Sequence, residues 1–230
     1  MVDLKDNINI IYEDNHLLVV EKPVNILMQE DDTKDEDFLS ILKRYLVDKY
    51  NKPGDAYLGL VHRLDRPVGG VVVFAKTSKG ASRLSNQIRL NQVKKTYMAV
   101  VEGKLEQDRA TVKDYLYKDK NTNTVTIVDP LQDEAKLAIL KYEVLEYKQN
   151  LSLVKIELVT GRSHQIRVQF AGLNNPLWGD QRYNTQAEKK QQIALWAYQL
   201  EFLHPTTKAP LSFSLPLPKR FPFDIFKQKY

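Results

Sequence analysis

The stretch LSLVKIELVTGRSHQIRVQFAGL, residues 151–173, changes its period halfway along. Its first half is dense in Leu, Val and Ile and reads as a strand. Beyond GRS, the apolar residues Ile166, Phe170 and Leu173 recur at the spacing of one helix face, and Gly172 comes near the helix end. Just upstream, TVKDYLYKD, TVTIVD and LAILKYEVLEY alternate or are β-branched, with a turn at Gln149 and Asn150. Consecutive strands joined by short turns imply a mostly antiparallel sheet, and the helix entering after residue 160 sets the class as α+β.

The rest of the chain extends that pattern. INIIYED and HLLVVEKP read as two strands joined at Asp14 and Asn15, the second ended by Lys22-Pro23. Phe38, Ile41, Leu42 and Leu46 predict an amphipathic helix within residues 35–50. GGVVVFAKT is a strand, and Ser78 stands where a cap would start a helix carrying Ala81, Leu84 and Ile88 inward. Lys79, Arg83 and Arg89 then share the outer face, which reads as a solvated surface. KTYMAVVEG and ALWAYQLEFLHP are further strands, and the last segment, with five of the ten prolines, reads as an extended tail. The architecture expected is one mixed sheet with flanking helices.

Composition narrows the chemistry. With 230 residues and 43% hydrophobic content, the chain is long enough for a sizeable core. A net charge of +5 leans toward a polyanionic partner. Cysteine is absent, which excludes disulfides and thiolate chemistry and removes the sulfur ligands of structural zinc sites. The start, MVDLKDNINI, is not a secretory leader, and the longest apolar run, VVVFA, is far short of the roughly 20 residues of a spanning helix. A cytoplasmic protein without a membrane partner is expected. No phosphate-cradling glycine motif is present, and His16, His62, His164 and His204 are scattered, so neither a cofactor nor a metal is expected. GRSHQ falls one glycine short of a nucleophile elbow, which makes Ser163 a helix cap rather than a nucleophile.

Two constellations remain. HRLDR, residues 62–66, sets Asp65 between Arg63 and Arg66 in a polar interval between strands, where it is either a structural ion pair or a reactive carboxylate. Arg167 follows Ile166 by about 100° of helix, so it flanks the buried stripe. An arginine there is either a surface residue or a bidentate partner that keeps a carboxylate ionised.

The motifs VHRLDRPVGGVVVFAKT, KKTYMAVVEG and LVTGRSHQIRVQFAGLNNPLWGDQRY closely resemble those of the RluA-type RNA pseudouridine synthases, and the similarity runs from about residue 10 to residue 223. The resemblance implies a single catalytic domain over residues 1–230, with the pseudouridine synthase fold and a central RNA-binding cleft. It also implies an isomerase that detaches uracil from ribose, turns it and rejoins it through carbon. Carried over, Asp65 is the catalytic aspartate, Arg63 fills the space left by a flipped nucleotide, Tyr97 stacks on the uracil and Arg167 pairs with Asp65. Tyr97 taken alone would be a core strand residue. The expected partner is structured RNA, a stem-loop of rRNA or tRNA, bound by a monomer without DNA. Lys76, Lys79, Arg83, Arg89, Lys94 and Lys95 are the candidate phosphate contacts.

The chain departs from the family pattern at Val68 and Gly69, where Thr and Ser are common, at Gln169, where His is common, and at Asn174 and Asn175. An RNA-binding protein of the same fold without turnover is the alternative that these departures leave open.

Overall fold

The computed structural model describes residues 8–227; the chain start read above for a leader lies partly outside them, in residues 1–7. The chain forms two compact units, one of residues 1–93 and 199–215 and one of residues 94–198 and 216–230.

In the first unit, β1 (Ile10–Glu13) and β2 (Leu17–Lys22) form the expected hairpin. Asp14 closes it, its carboxylate accepting the His16 and Leu17 N–H groups at 2.7 Å each. β2 pairs antiparallel with β4 (Gly69–Ala75), which also carries the two-residue β3 (Gly59–Leu60). Between β2 and β3 runs α1 (Phe38–Lys49), capped by Asp37 and burying Phe38, Ile41, Leu42 and Leu46, the four residues its sequence period selects.

The helix α2 (Ser78–Arg89) differs from expectation in two respects. Its cap is Thr77, whose hydroxyl accepts the Gly80 N–H, and Ser78 is already helical. Its buried line is Gly80, Leu84 and Gln87, with Ala81 and Ile88 only flanking it. The rotation has a physical cause: the Gln87 amide donates to the Leu203 carbonyl at 2.8 Å and accepts its N–H at 3.0 Å. A polar residue thus takes an inner place because it satisfies a strand backbone. The expected tail is also partly a strand, since β10 (Leu195–Leu203), which crosses the unit boundary, pairs with β11 (Pro210–Ser214).

In the second unit the strand order is β5-β9-β8-β6-β7, formed by β5 (Lys94–Glu102), β6 (Arg109–Asp119), β7 (Thr124–Val128), β8 (Lys136–Lys148) and β9 (Leu151–Leu158). Their pairings are antiparallel throughout. Gln149 and Asn150 both take positive φ in the two-residue β8–β9 turn, as a tight hairpin requires. α3 (Gln165–Gly172) follows β9. Its residues 165–170 are all buried, whereas Leu173, expected inside, lies beyond the helix and is exposed. Ser163 neither caps α3 nor bonds to a histidine: it is exposed, and the cap position is His164, in the left-handed region at φ 51 with no capping side-chain bond. The fold is α+β, with three α-helices among the described residues and a mostly antiparallel sheet, as the sequence predicts. No helix among the described residues is long and apolar enough to cross a membrane.

One ion cluster fixes the first unit's outer edge. Glu13 on β1 accepts from Lys49 at 2.6 Å, Lys76 at 2.7 Å and the Tyr50 hydroxyl at 2.6 Å. Burial acts to raise the Glu13 pKa, but these donors outweigh it and hold the carboxyl down to about 2. A folded pKa below the unfolded one contributes stability above about pH 4.5 that is lost as pH falls through about 2. Glu13→Gln is therefore expected to lower stability by about 1–3 kcal/mol at pH 7. Urea unfolding at pH 7 and again near pH 2 checks it, since the difference should vanish in acid.

Candidate active site

The first unit carries Arg63 and Asp65. The loop between β3 and β4 is anchored by buried Leu64, and the Val68 N–H donates to the Asp65 carbonyl at 3.0 Å, closing a turn over Arg66 and Pro67. His62 fixes the other side, its Nε2 accepting the Val73 N–H at 3.1 Å. Asp65 is half-buried and Arg63 exposed. Arg63 has no hydrogen bond or ion pair among the described residues. Arg66 ion-pairs with Asp35 at 2.7 Å on the surface.

Beneath this loop lies a residue that the sequence reading passed over. Lys22 is fully buried at the end of β2, and its Nζ donates to the carbonyls of Val68 at 2.7 Å, Pro23 at 3.0 Å and Arg66 at 3.1 Å. Burial pushes its pKa down to about 7, the Asp65 carboxylate acts to raise it, and Arg66 adds to the lowering. The ammonium thus pins the backbone on the C-terminal side of Asp65. A signal was present: Lys22 stands in phase with Leu18 and Val20, which face the core. Lys22→Met leaves the loop carbonyls without a donor and is expected to destabilise the fold by about 1–3 kcal/mol, read from the thermal midpoint.

Val68, one of the departures, is buried with its carbonyl on Lys22, so an apolar side chain suits the position. Gly70 follows at φ 125, paired with Lys22 in the β2–β4 ladder.

The second unit carries Tyr97 and Arg167. Tyr97 pairs with Ile156 on β9, which pairs with Tyr142 on β8. The Tyr142 ring meets Phe170 of α3 at 5.5 Å, so Tyr97 faces the side of the sheet that α3 covers. Tyr97 is buried, at 8% exposure.

Arg167 is not the surface arginine that its spacing allowed. It is buried, and its Nε and Nη2 grip both oxygens of the fully buried Asp180 carboxylate at 2.8 and 2.7 Å. Asp180 also accepts the backbone N–H groups of Arg182 and Tyr183, at 3.0 and 3.4 Å. The guanidinium lies 5.2 Å from the Tyr183 ring centroid, a cation–π contact. The Tyr183 hydroxyl in turn accepts the Val125 N–H at 3.0 Å and meets His164 Nδ1 at 2.7 Å. Burial raises the Tyr183 pKa against the opposing pull of Val125, Arg167 and Arg182, so the phenol stays protonated at neutral pH. Asp180 and Tyr183 stand in WGDQRY, where sequence reasoning assigns them no role. The signal was the lone acid after Gly179, which sits at φ 71 in a turn where a Cβ would meet the Gln192 carbonyl at 2.9 Å.

The other departures also have partners. Gln169 donates to Asp114 at 2.8 Å, tying α3 to β6, and Asn175 donates to the Glu102 carbonyl at 2.7 Å. Asn174, at φ 59, takes the left-handed place after the helix. Among the candidate phosphate contacts, Lys76 is committed to Glu13, Arg83 to the Pro205 carbonyl at 3.0 Å and Arg89 to Asn86 at 2.6 Å. No group of three or more acidic or histidine side chains able to hold a metal occurs among the described residues.

The family profile described as RNA pseudouridylate synthase matches residues 16–172, which include both the HRLDR loop and α3. The chain belongs to the RNA pseudouridylate synthase family. This synthase is 33% identical over 216 residues to the dual-specificity RNA pseudouridine synthase RluA of Pasteurella multocida (strain Pm70), across 91% of this chain and 93% of that protein. It is 32% identical over 231 residues to the ribosomal large subunit pseudouridine synthase D of Blochmanniella floridana, across 92% of this chain and 70% of that one. The human RNA pseudouridylate synthase domain containing 4 has the same fold, with a TM-score of 0.79 at 22% identity over 94% of this chain and 92% of that one. The synthase is thus an RluA-type isomerase acting on RNA.

Proposed function

We propose that this synthase converts a specific uridine of a structured RNA to pseudouridine, with Asp65 as the catalytic residue. The reaction breaks the bond from uracil N1 to ribose C1′ and makes one from C5 to C1′, while C5 loses a proton and N1 gains one. Asp65 serves it as an ionised carboxylate, whether by adding to the base, attacking the sugar or removing a ribose proton to give a glycal. The target must leave the RNA stack first, which costs a few kcal/mol that contacts offset. In this reading Arg63 occupies the vacated space, Tyr97 stacks on the uracil, and Arg167 pairs with Asp65.

The observation that carries the reading is the HRLDR loop itself: a half-buried carboxylate on a turn whose following carbonyls are held by the buried Lys22 ammonium. A reacting group fixed in advance needs no reorganisation when its substrate arrives. The names of the relatives, one of the large ribosomal subunit and one of dual specificity for RNA, support an RNA substrate, read here as a stem-loop of rRNA or tRNA. Residues 1–230 act as one catalytic domain, a cytoplasmic monomer that binds neither DNA nor a membrane.

Carbodiimide mapping of pseudouridine in RNA from cells with and without the gene tests this directly. The expected result is loss of signal at one or a few uridines, restored when purified protein is added to RNA from the deleted cells. Unchanged maps, together with no product from the purified protein, would end the proposal.

A further inference from the structure

A lysine without a counterion lies two residues before Tyr97. Strand residues two apart face the same side, so Lys95 shares the α3-facing side of β5 with Tyr97. Its neighbours across the sheet are apolar: Leu158 on β9, then Leu140 on β8 and Val112 on β6. Its Nζ reaches the turn before α3, where the missing side chain of Gly161 leaves it room; a Cβ there would be 3.1 Å away. That turn is rigid, because the Gln165 side-chain oxygen accepts both the Thr160 hydroxyl at 2.8 Å and the Arg162 N–H at 3.0 Å. Lys95 is half-buried, and burial lowers its pKa. Among the described residues it has neither a carboxylate nor a hydrogen-bond partner.

Lysine is seldom buried without a partner, since desolvating an ammonium is unfavourable unless a counter-charge offsets it. Among the described residues no protein group supplies that charge, while Arg162 and the N-terminal end of α3 add positive potential to the same turn. The Glu157 carboxylate, one residue along β9 from Leu158, belongs to the opposite face of the sheet. The spacing of two strand residues, about 7 Å, is of the order of the span from a nucleobase to its own phosphate.

We propose that Lys95 binds RNA phosphate, its ammonium donating to a non-bridging oxygen of the nucleotide whose base stacks on Tyr97. The assignment rests on the reading of Tyr97 given above. It separates Lys95 from Lys76, Arg83 and Arg89, whose cations already have protein partners.

The test uses the full chain and the rRNA and tRNA fraction of cells lacking the gene, with wild type, Lys95→Met and Lys95→Arg compared from about 50 to 200 mM salt. Pseudouridine formation gives kcat and KM, and filter binding of the same RNA gives affinity without turnover. Lys95→Met is expected to raise KM roughly tenfold with kcat within about twofold, and to reduce the slope of log affinity against log salt by about one. Lys95→Arg should stay near wild type, and the thermal midpoint of Lys95→Met should be no lower, because an unpaired buried charge is removed. Equal salt slopes in wild type and Lys95→Met, or a midpoint that falls together with kcat, overturn the phosphate contact. A wild type that binds with the lysine-dependent slope but forms no pseudouridine instead overturns the reaction and leaves the contact standing.

Discussion

Asp65→Asn and Asp65→Ala proteins bind RNA with affinity close to wild type and form no measurable pseudouridine: this is the largest effect expected on activity. Asparagine keeps the size of the side chain and removes its charge, so the turn that Val68 closes on the Asp65 carbonyl is unaffected. The Lys22 ammonium still holds the carbonyls at positions 66 and 68. What disappears is the anionic oxygen. Losing a nucleophile or general base lowers turnover by roughly a thousandfold or more, while contacts made equally in ground and transition states persist. Carbodiimide mapping of RNA treated with each variant measures the first quantity and filter binding the second. Product from either variant at more than a few per cent of the wild-type rate would transfer the chemistry to another group. Loss of binding together with loss of product would show that the loop, and not only its charge, had changed.

How much of this was legible beforehand depends on the distance over which each residue acts. The β1–β2 hairpin, the stripe of α1 and the strands from β5 to β9 follow from period and turn chemistry, which are local, and they stand where the sequence puts them. The buried polar residues were less legible: Gln87 gave no sign, and Lys22 only its phase with Leu18 and Val20. Gln87 turns inward to satisfy Leu203, 116 residues away, and Lys22 is buried because carbonyls 44 and 46 residues on accept from it. Local periodicity carries no record of a remote backbone group, so a helical wheel assigns Gln87 to solvent. Arg167 shows the same limit from the other side. Its spacing left a surface residue and a carboxylate partner both open, and the resemblance implied Asp65; the buried carboxylate of Asp180, 13 residues later, is visible only once the turn at Gly179 is folded. Leu173 failed for a simpler reason: the helix ends at Gly172, so the periodicity that would have turned it inward stops one residue short.

The Arg167–Asp180 pair carries the largest effect expected on stability. Asp180→Asn is nearly isosteric, but its amide NH2 must replace either Oδ2, where it faces the Arg167 Nε–H, or Oδ1, where it faces the Arg167 Nη2–H and the N–H groups of Arg182 and Tyr183, all of which are donors. At least one contact becomes donor against donor, and the buried guanidinium loses the Asp180 charge. Breaking a buried ion pair from one side destabilises by about 3–5 kcal/mol, because the remaining charge still lacks solvent. Removing both charges with Arg167→Met and Asp180→Leu returns part of that loss, as apolar pairs of similar volume often do. The recovery stays incomplete because the Arg182 and Tyr183 N–H groups keep no acceptor. Thermal and urea unfolding of the two single variants and the double variant give the coupling. Pseudouridine formation then separates architecture from chemistry. If Arg167 also serves Asp65 as proposed, the double variant regains stability and stays inactive; if it regains both, Arg167 is a structural residue of the second unit alone.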